Sequence, residues 1–428
     1  MFPLFKIKGS SNVEIRDCLI KSKVSNVDIQ DICFTLKSDD YRSNKISSLS
    51  LKSCTISNFY SAIETTAFSS FFVEKCYFSE IRNHCINSSN SYNFKIMSSS
   101  FCKIGKSCIN LRFSRPIQTK RNGIIQENKF SNNLAYGVTI FTESLENNYD
   151  FSLCLNRNIF NNHKKEAIYI KNASISQIEI SNNEIINSKK DGISLEYSGD
   201  FINESPILIF QNKIFGGLGQ GISICDSHVR IEANEIAQNE KGGININGSE
   251  IDIIKFMHFK THPIRILINE CKIYENDCFG ISVAGSLKGP LIISKCYLYE
   301  NLNGVYVSEN QQFFNKIERE LTENNKNNFL NNFNQISLEK CSIFQNKRTG
   351  VFIDCLVSEA FISETLIRDN KHQAVVMSNQ KDKKLIQFKD GELGKLRDFI
   401  QGFIGGPWGE LFSEREMKSC KGNRCIIF

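Results

Sequence analysis

The sequence predicts an all-β solenoid of about thirteen coils wound from short strands, and three observations predict it. The first is a row of small polar residues in a fixed frame. Cys18, Cys54, Cys76, Ser99, Asn128, Asn158, Asn183, Asn212, Asn234, Cys271, Cys296, Cys341 and Thr365 each lie three places after one apolar residue and two places before another. The second is a small residue eight or nine places further on, followed by apolar residues at alternating positions. It opens GVTI at Gly137, GISL at Gly192, GISI at Gly221, GINI at Gly243, GISV at Gly280, GVYV at Gly304 and GVFI at Gly350. Ala62, Cys85, Cys108, Ala167 and Ala374 take the same slot. The third is the period itself: alternation over four or five places is the strand period, not the helix period.

Each coil then follows in order. An apolar strand leads into the row residue, a short strand follows, and a turn precedes the strand that begins at the small residue. Gly at that slot is expected to supply backbone freedom for the turn. A second asparagine recurs five places after the row, at Asn133, Asn239, Asn276, Asn301, Asn346 and Asn370. It is expected to occupy the left-handed region of a sharp turn.

These residues resemble the right-handed parallel β-helix repeat family, with the pectin-lyase-like fold, from about Val13 to Met377. The resemblance implies coils stacked as parallel sheets with asparagine or cysteine ladders at the turns. Among intracellular proteins the chain looks most like the β-helix part of F-box-type adaptors and scaffolds, which implies recruitment of protein partners.

Repeats occupy residues 1–380, with insertions near 247–267 and 308–337. Such insertions leave a solenoid from one face and either carry specificity or are simply solvated. In 381–412 the apolar residues Leu393, Leu396, Phe399, Ile400 and Phe403 fall at helical spacing before Gly405-Gly406-Pro407. An amphipathic helix is expected there, capping the last coil or lying on a membrane. Residues 413–428 form a basic tail.

Composition excludes several classes. The net charge of +6 over 428 residues is small and spread out, unlike the clustered charge of a nucleic-acid binder. Six of the 16 cysteines occupy the row, interchangeably with Asn and Ser, which suits buried reduced thiols better than disulfides. No signal-like or membrane-spanning stretch is evident, so a cytoplasmic protein is expected.

A glycan-cleaving solenoid needs carboxylates, or a base and a metal-bound acid cluster, on adjacent coils of one face. One outward row reads Thr139, Tyr169, Ser194, Ser223, Asn245, Ser282, Tyr306, Phe352, without acid or base. The next reads Phe141, Lys171, Glu196, Cys225, Asn247, Ala284, Ser308, Asp354, its acids several coils apart. Asp39-Asp40 has no evident partner. His258 and His262 lie four apart in an extended segment that ends at Pro263, so no metal site and no cofactor is expected. The sequence therefore favours a non-catalytic scaffold or adaptor that presents its surface to protein partners. The alternative is a glycan-binding or polysaccharide-cleaving protein, a lyase or a glycoside hydrolase.

The tail carries one further motif. Cys425-Ile426-Ile427-Phe428 matches the C-a-a-X prenylation signal, with terminal Phe selecting geranylgeranyl. Lys418, Lys421 and Arg424 would meet anionic headgroups, and Cys420 could accept a palmitoyl chain. Peripheral attachment to the cytosolic face of a membrane is expected.

Overall fold

The structure, a computed structural model, describes residues 2–378 except 9–10, 23–30, 38–46, 67–68, 92, 115–120, 144–148, 174, 200–204, 249–263, 286–288, 309–334 and 355–358, together with 386–389 and 425–427. It is a right-handed β-helix in which each full coil gives one strand to each of three parallel sheets, here called B, C and A in chain order. Among the described residues there is no helix. The chain divides into two units, Met1–Ser223 and Ile224–Phe428.

In the first unit, the coil through Asn128 shows how the sequence makes the turn. Arg121–Gln126 lies in sheet B, Lys129–Ser131 in sheet C and Val138–Thr142 in sheet A. Each pairs in parallel with its counterpart one coil on, as in Lys129↔Ile159 and Val138↔Ile168. In-register stacking places like on like, so apolar positions form continuous stacks. Phe78, Phe101, Phe130 and Phe160 stack with centroids 5.0, 4.9 and 4.6 Å apart, each contact contributing about 0.5–1.5 kcal/mol beyond burial.

The corner from B to C turns on a left-handed residue. Ser98, Glu127, Arg157 and Asn182 have φ of 48°, 56°, 54° and 54°. The next residue is the row member, and it points inward. Ser99, Asn128, Asn158, Asn183 and Asn212 are buried. Ser99 N–H donates to Asn128 Oδ1 at 3.0 Å, Asn128 N–H to Asn158 Oδ1 at 3.0 Å, and Asn158 N–H to Asn183 Oδ1 at 3.0 Å. Each amide thus satisfies a corner N–H that no sheet partner can reach. Cys54 and Cys76 are buried in the same row, and the Cys54 Sγ lies 3.2 Å from the Lys52 carbonyl. Cys18 departs from the expectation. It is exposed, because it sits at the first corner with only the Cys54 corner stacked on it.

Two further expectations are corrected. The second asparagine row is not left-handed. The residue before it is: Asn132, Gln238, Glu275, Glu300, Gln345 and Asp369 have φ between 52° and 57°. The asparagine itself turns inward and builds a second ladder, as where Asn133 Oδ1 accepts the Ile104 N–H at 3.0 Å. Nor does Gly137 serve a left-handed turn. A Cβ there would lie 2.6 Å from the Ala167 carbonyl oxygen and 2.7 Å from the Phe160 ring, so the slot demands small size.

The second unit repeats the scheme. Cys271, Cys296, Cys341 and Thr365 continue the first row, all buried. The Cys296 Sγ lies 3.2 Å from the Ser294 carbonyl of its own coil and 3.7 Å from the Ile268 carbonyl of the coil before. Hydrogen bonds with the neighbouring thiols, then burial, push the Cys296 pKa well up. Asn234 is buried and its Nδ2 lies 4.0 Å from Cys271 Sγ. The second ladder runs Asn239, Asn276, Asn301, Asn346, Asn370 through N–H to Oδ1 bonds of 3.0–3.1 Å. Thirteen cysteines, from Cys18 to Cys341, are free thiols.

The expected insertions lie almost wholly outside the described residues. So do the helical residues Leu393, Leu396, Phe399, Ile400 and Phe403, and Cys420 of the tail. Of 381–412 only Ile386–Lys389 is described, and it is a strand. Cys425–Ile427 pairs with it antiparallel, Cys425 opposite Phe388. No helix of the described residues is long and apolar enough to cross a membrane.

Candidate functional site

Sheet A of the first unit offers three positions per coil that alternate away from the core. They are the residue before the small one and two within the strand. Register aligns them into columns. The second and third columns contain those anticipated from the sequence, Thr139, Tyr169, Ser194 and Phe141, Lys171, Glu196, and the register extends them by Asn110 and Arg112. The first column was missed. It runs His84, Ser107, Tyr136, Glu166, Asp191, each one coil from the next through backbone bonds such as Cys85 N–H to the Ser107 carbonyl. The signal was present in the sequence, immediately before each Gly or its substitute. Alternation counted from the Gly onward left that place out.

This column brings together what the strand rows lack. Tyr136 and Tyr169 stack with ring centroids 5.5 Å apart. The Lys165 ammonium sits 4.8 Å from the Tyr136 ring centre and 3.4 Å from its hydroxyl. Burial, then the Glu196 charge and hydrogen bond, pushes the Tyr169 pKa up, so its phenol keeps its proton. Lys171 Nζ lies 2.7 Å from Glu196 Oε2.

Glu166 and Asp191 occupy successive coils, about 4.8 Å apart by sheet geometry. The Glu166 side chain is 12% exposed, and its Oε1 lies 3.8 Å from Lys190 Nζ. Its Oε2 is buried without a hydrogen-bond partner. Burial raises the Glu166 pKa; Asp191 adds to the rise, while Lys190 and Lys165 oppose it without prevailing. Asp191 Oδ1 accepts the Gln220 N–H at 2.8 Å, which fixes its carboxylate. Gly219 is needed for that approach, since a Cβ there would fall 2.5 Å from Asp191 Oδ1. A carboxyl with a raised pKa beside a second, oriented carboxylate is the equipment of acid–base chemistry.

The remaining sites separate cleanly. In the second unit Asn245, Ser282, Tyr306 and Phe352 align, and the Tyr306 and Phe352 rings stack at 4.9 Å. Asp39-Asp40, His258 and His262 lie outside the described residues. Among the described residues no group of three or more His, Cys, Asp or Glu is placed to hold a metal.

Similar solved structures include a variant of the periplasmic alginate epimerase AlgG, at 12% identity, TM-score 0.43, covering 88% of this chain and 76% of that one. Another is a mannuronic acid specific polysaccharide family 6 lyase from human gut microbiota, at 11%, TM-score 0.35, covering 97% and 95%. A third is the catalytic domain of an α-1,3-glucanase, at 11%, TM-score 0.32, covering 89% and 64%. At these identities the likeness shows the fold alone. By name, however, all three are polysaccharide-acting enzymes, and this corrects the expectation of a non-catalytic adaptor or scaffold. No curated protein sequence matches the chain. The model of the right-handed β-helix region matches residues 125–259 and 260–390, more than half of the sequence, and the chain belongs to that family.

Proposed function

We propose that the protein binds a polysaccharide across the outer face of sheet A in its first unit and hydrolyses a glycosidic bond there. One observation carries this reading: Glu166, a largely buried carboxyl with a raised pKa, stands one coil from the carboxylate of Asp191. Glu166 gives its proton to the glycosidic oxygen as the C–O bond breaks. Asp191 attacks the anomeric carbon, and water then releases the sugar with the Glu166 carboxylate as base. Retaining enzymes space their two carboxyls about 5–5.5 Å apart, and neighbouring coils set the two backbones about 4.8 Å apart. Tyr136 and Tyr169 offer aromatic surface beside the pair.

Glu166→Gln should lower the release of reducing ends, measured over a panel of polysaccharides, by about 10²- to 10⁴-fold while leaving the fold intact. The wild-type rate should fall as pH rises through the raised Glu166 pKa. Undiminished cleavage by Glu166→Gln removes the assignment.

We also propose, as a matter of place rather than activity, that Cys425 accepts a prenyl group. The terminal Cys-Ile-Ile-Phe and the neighbouring Lys418, Lys421 and Arg424 support it. A tail paired with Ile386–Lys389 is unavailable to a transferase, so modification requires that strand to release. Cys425→Ser should shift a tagged protein from membranes to the soluble fraction; an unchanged distribution disposes of the idea.

A further inference from the structure

The first B-to-C corner carries chemistry that neither the polysaccharide face nor the tail uses. Of the thirteen thiols from Cys18 to Cys341, Cys18 alone is exposed. It is stacked directly on a second thiol. The Asp17 N–H donates to the Lys52 carbonyl at 3.0 Å and the Thr55 N–H to the Cys18 carbonyl at 2.8 Å, so backbone bonds clasp Cys18 and Cys54 on either side. Their Cα atoms therefore stand one coil apart, about 4.8 Å. A disulfide spans Cα atoms roughly 4.4–6.8 Å apart. The two side chains also leave the corner in the same direction. Each S–H donates to the carbonyl two residues back, Cys18 to Arg16 at 3.1 Å and Cys54 to Lys52 at 3.2 Å. The Cys54 Sγ lies 3.5 Å from the Ile15 carbonyl as well, so it reaches back to the coil that holds Cys18.

The two thiols differ in access. Cys54 is 1% exposed and Cys76, next in the row, 2%, so a small oxidant in solution meets Cys18 first. Among the described residues no coil is stacked before Cys18, which leaves its sulfur room to turn from the Arg16 carbonyl towards Cys54. Partly exposed thiols elsewhere lack such a neighbour. Cys102 lies between Ser79 and Ser131, and Cys154 between Ile124 and Glu179. An accessible thiol beside a second, resolving thiol is the arrangement that peroxide oxidation converts to a disulfide.

We propose that Cys18 is a site of oxidation by hydroperoxides and that Cys54 resolves it as a Cys18–Cys54 disulfide, which ties the first coil to the second. The Cys18 thiolate attacks the peroxide, the O–O bond breaks, and hydroxide leaves and takes up the thiol proton as water. Cys18 then carries a sulfenic acid. The Cys54 sulfur attacks the Cys18 sulfur, the S–O bond breaks, and the hydroxyl leaves with the Cys54 proton as a second water. The thiols lose two electrons and hydrogen peroxide gains them. Phe2–Lys8, Asn12–Arg16 and Leu19–Lys21 each pair with a strand on one side only, so the first coil is the part of the stack most ready to open. A bond from residue 18 to residue 54 opposes that opening.

The test treats the reduced full chain with hydrogen peroxide, alkylates the remaining thiols in denaturant and maps the peptides without reduction. A Cys18–Cys54 peptide should be the first cross-link to appear, and dithiothreitol should remove it. Amide hydrogen exchange in Asn12–Arg16 and Leu19–Lys21 should slow by about tenfold or more on oxidation and recover on reduction. Cys54→Ser introduces a residue that the row already holds at Ser99. In that variant dimedone should trap Cys18 as its sulfenic acid, with no cross-link at Cys18. In Cys18→Ser, Cys54 and Cys76 should remain fully alkylatable after the same treatment. A wild-type Cys18 that passes to sulfinic acid while Cys54 stays free, or that cross-links to any other cysteine, overturns the proposal. A Cys18 thiol left intact while Cys102 oxidises overturns it as well.

Discussion

Asn158→Ala should destabilise the protein by about 3 kcal/mol or more, the cost of leaving buried polar groups unpaired. Asn158 Oδ1 accepts the Asn128 N–H and lies 3.0 Å from the Asn128 side-chain amide. Its Nδ2 donates to the Ile125 carbonyl at 2.8 Å and to Asn183 Oδ1 at 2.9 Å. One side chain therefore ties three coils, and alanine leaves the Asn128 N–H without a partner in a dry interior. The slot tolerates other polar side chains, as Ser99 and Thr365 show, so Asn158→Thr should recover part of the loss. Urea denaturation of the three proteins measures this. An alanine variant within 1 kcal/mol of wild type would show that the ladder fills space and satisfies little.

Acid should weaken the fold through His163, and by a comparable amount. This residue stands in the second ladder, one coil after Asn133, where other coils place asparagine. It is fully buried, with its ring 5.9 Å from Phe160 and neither nitrogen in a hydrogen bond of normal geometry. Burial lowers its pKa to about 4, against an opposing pull from the Ala135 and Phe130 backbone. The unfolded chain takes up a proton near pH 6.5 and the folded chain does not until about pH 4. Stability is therefore complete above pH 6.5, falls as pH drops towards 4, and levels off below. The loss is on the order of 3 kcal/mol, from about 2.5 units at 1.36 kcal/mol each. His84, whose pKa is lowered to about 4 by burial, Lys106 and Arg112, adds in the same direction with more solvent screening. His163→Asn should flatten this limb and, by restoring the rung, match or exceed wild-type stability at pH 7. Parallel pH profiles for the two proteins would refute the assignment.

The fold was legible because each coil states its frame twice, once in the inward Asn, Cys, Ser or Thr and once in the small residue before the sheet A strand. The reading erred where one residue type serves two physical ends. Asparagine both tolerates a left-handed backbone and carries an amide. In this chain the conformation falls on the residue before, such as Glu275 or Glu300, and the asparagine gives its amide to the interior. Glycine likewise stood for freedom when its requirement is size. The site was missed for a geometric reason. Glu166 and Asp191 lie before the strand period begins, so a count that starts at the strand never sets them side by side. Tyr169 and Lys171 were placed correctly, but their chemistry shows only once Tyr136, Glu166 and Glu196 are seen on neighbouring coils.

The two laddered corners have a last consequence, for how such a chain changes over evolutionary time. From Cys54 onward the distance from the inward row residue to the small residue is eight or nine positions, as from Asn128 to Gly137 or Cys296 to Gly304. From the small residue to the next row residue it ranges from thirteen, Gly221 to Asn234, to thirty-seven, Gly304 to Cys341. A single residue spliced into the invariant stretch would turn the following side chains inside out. Spliced after a sheet A strand, it disturbs nothing. Those permissive junctions begin within a few residues of Arg112, Phe141 and Glu196, so the chain is free to be rewritten next to the surface where selectivity would be decided, while the frame beneath stays locked.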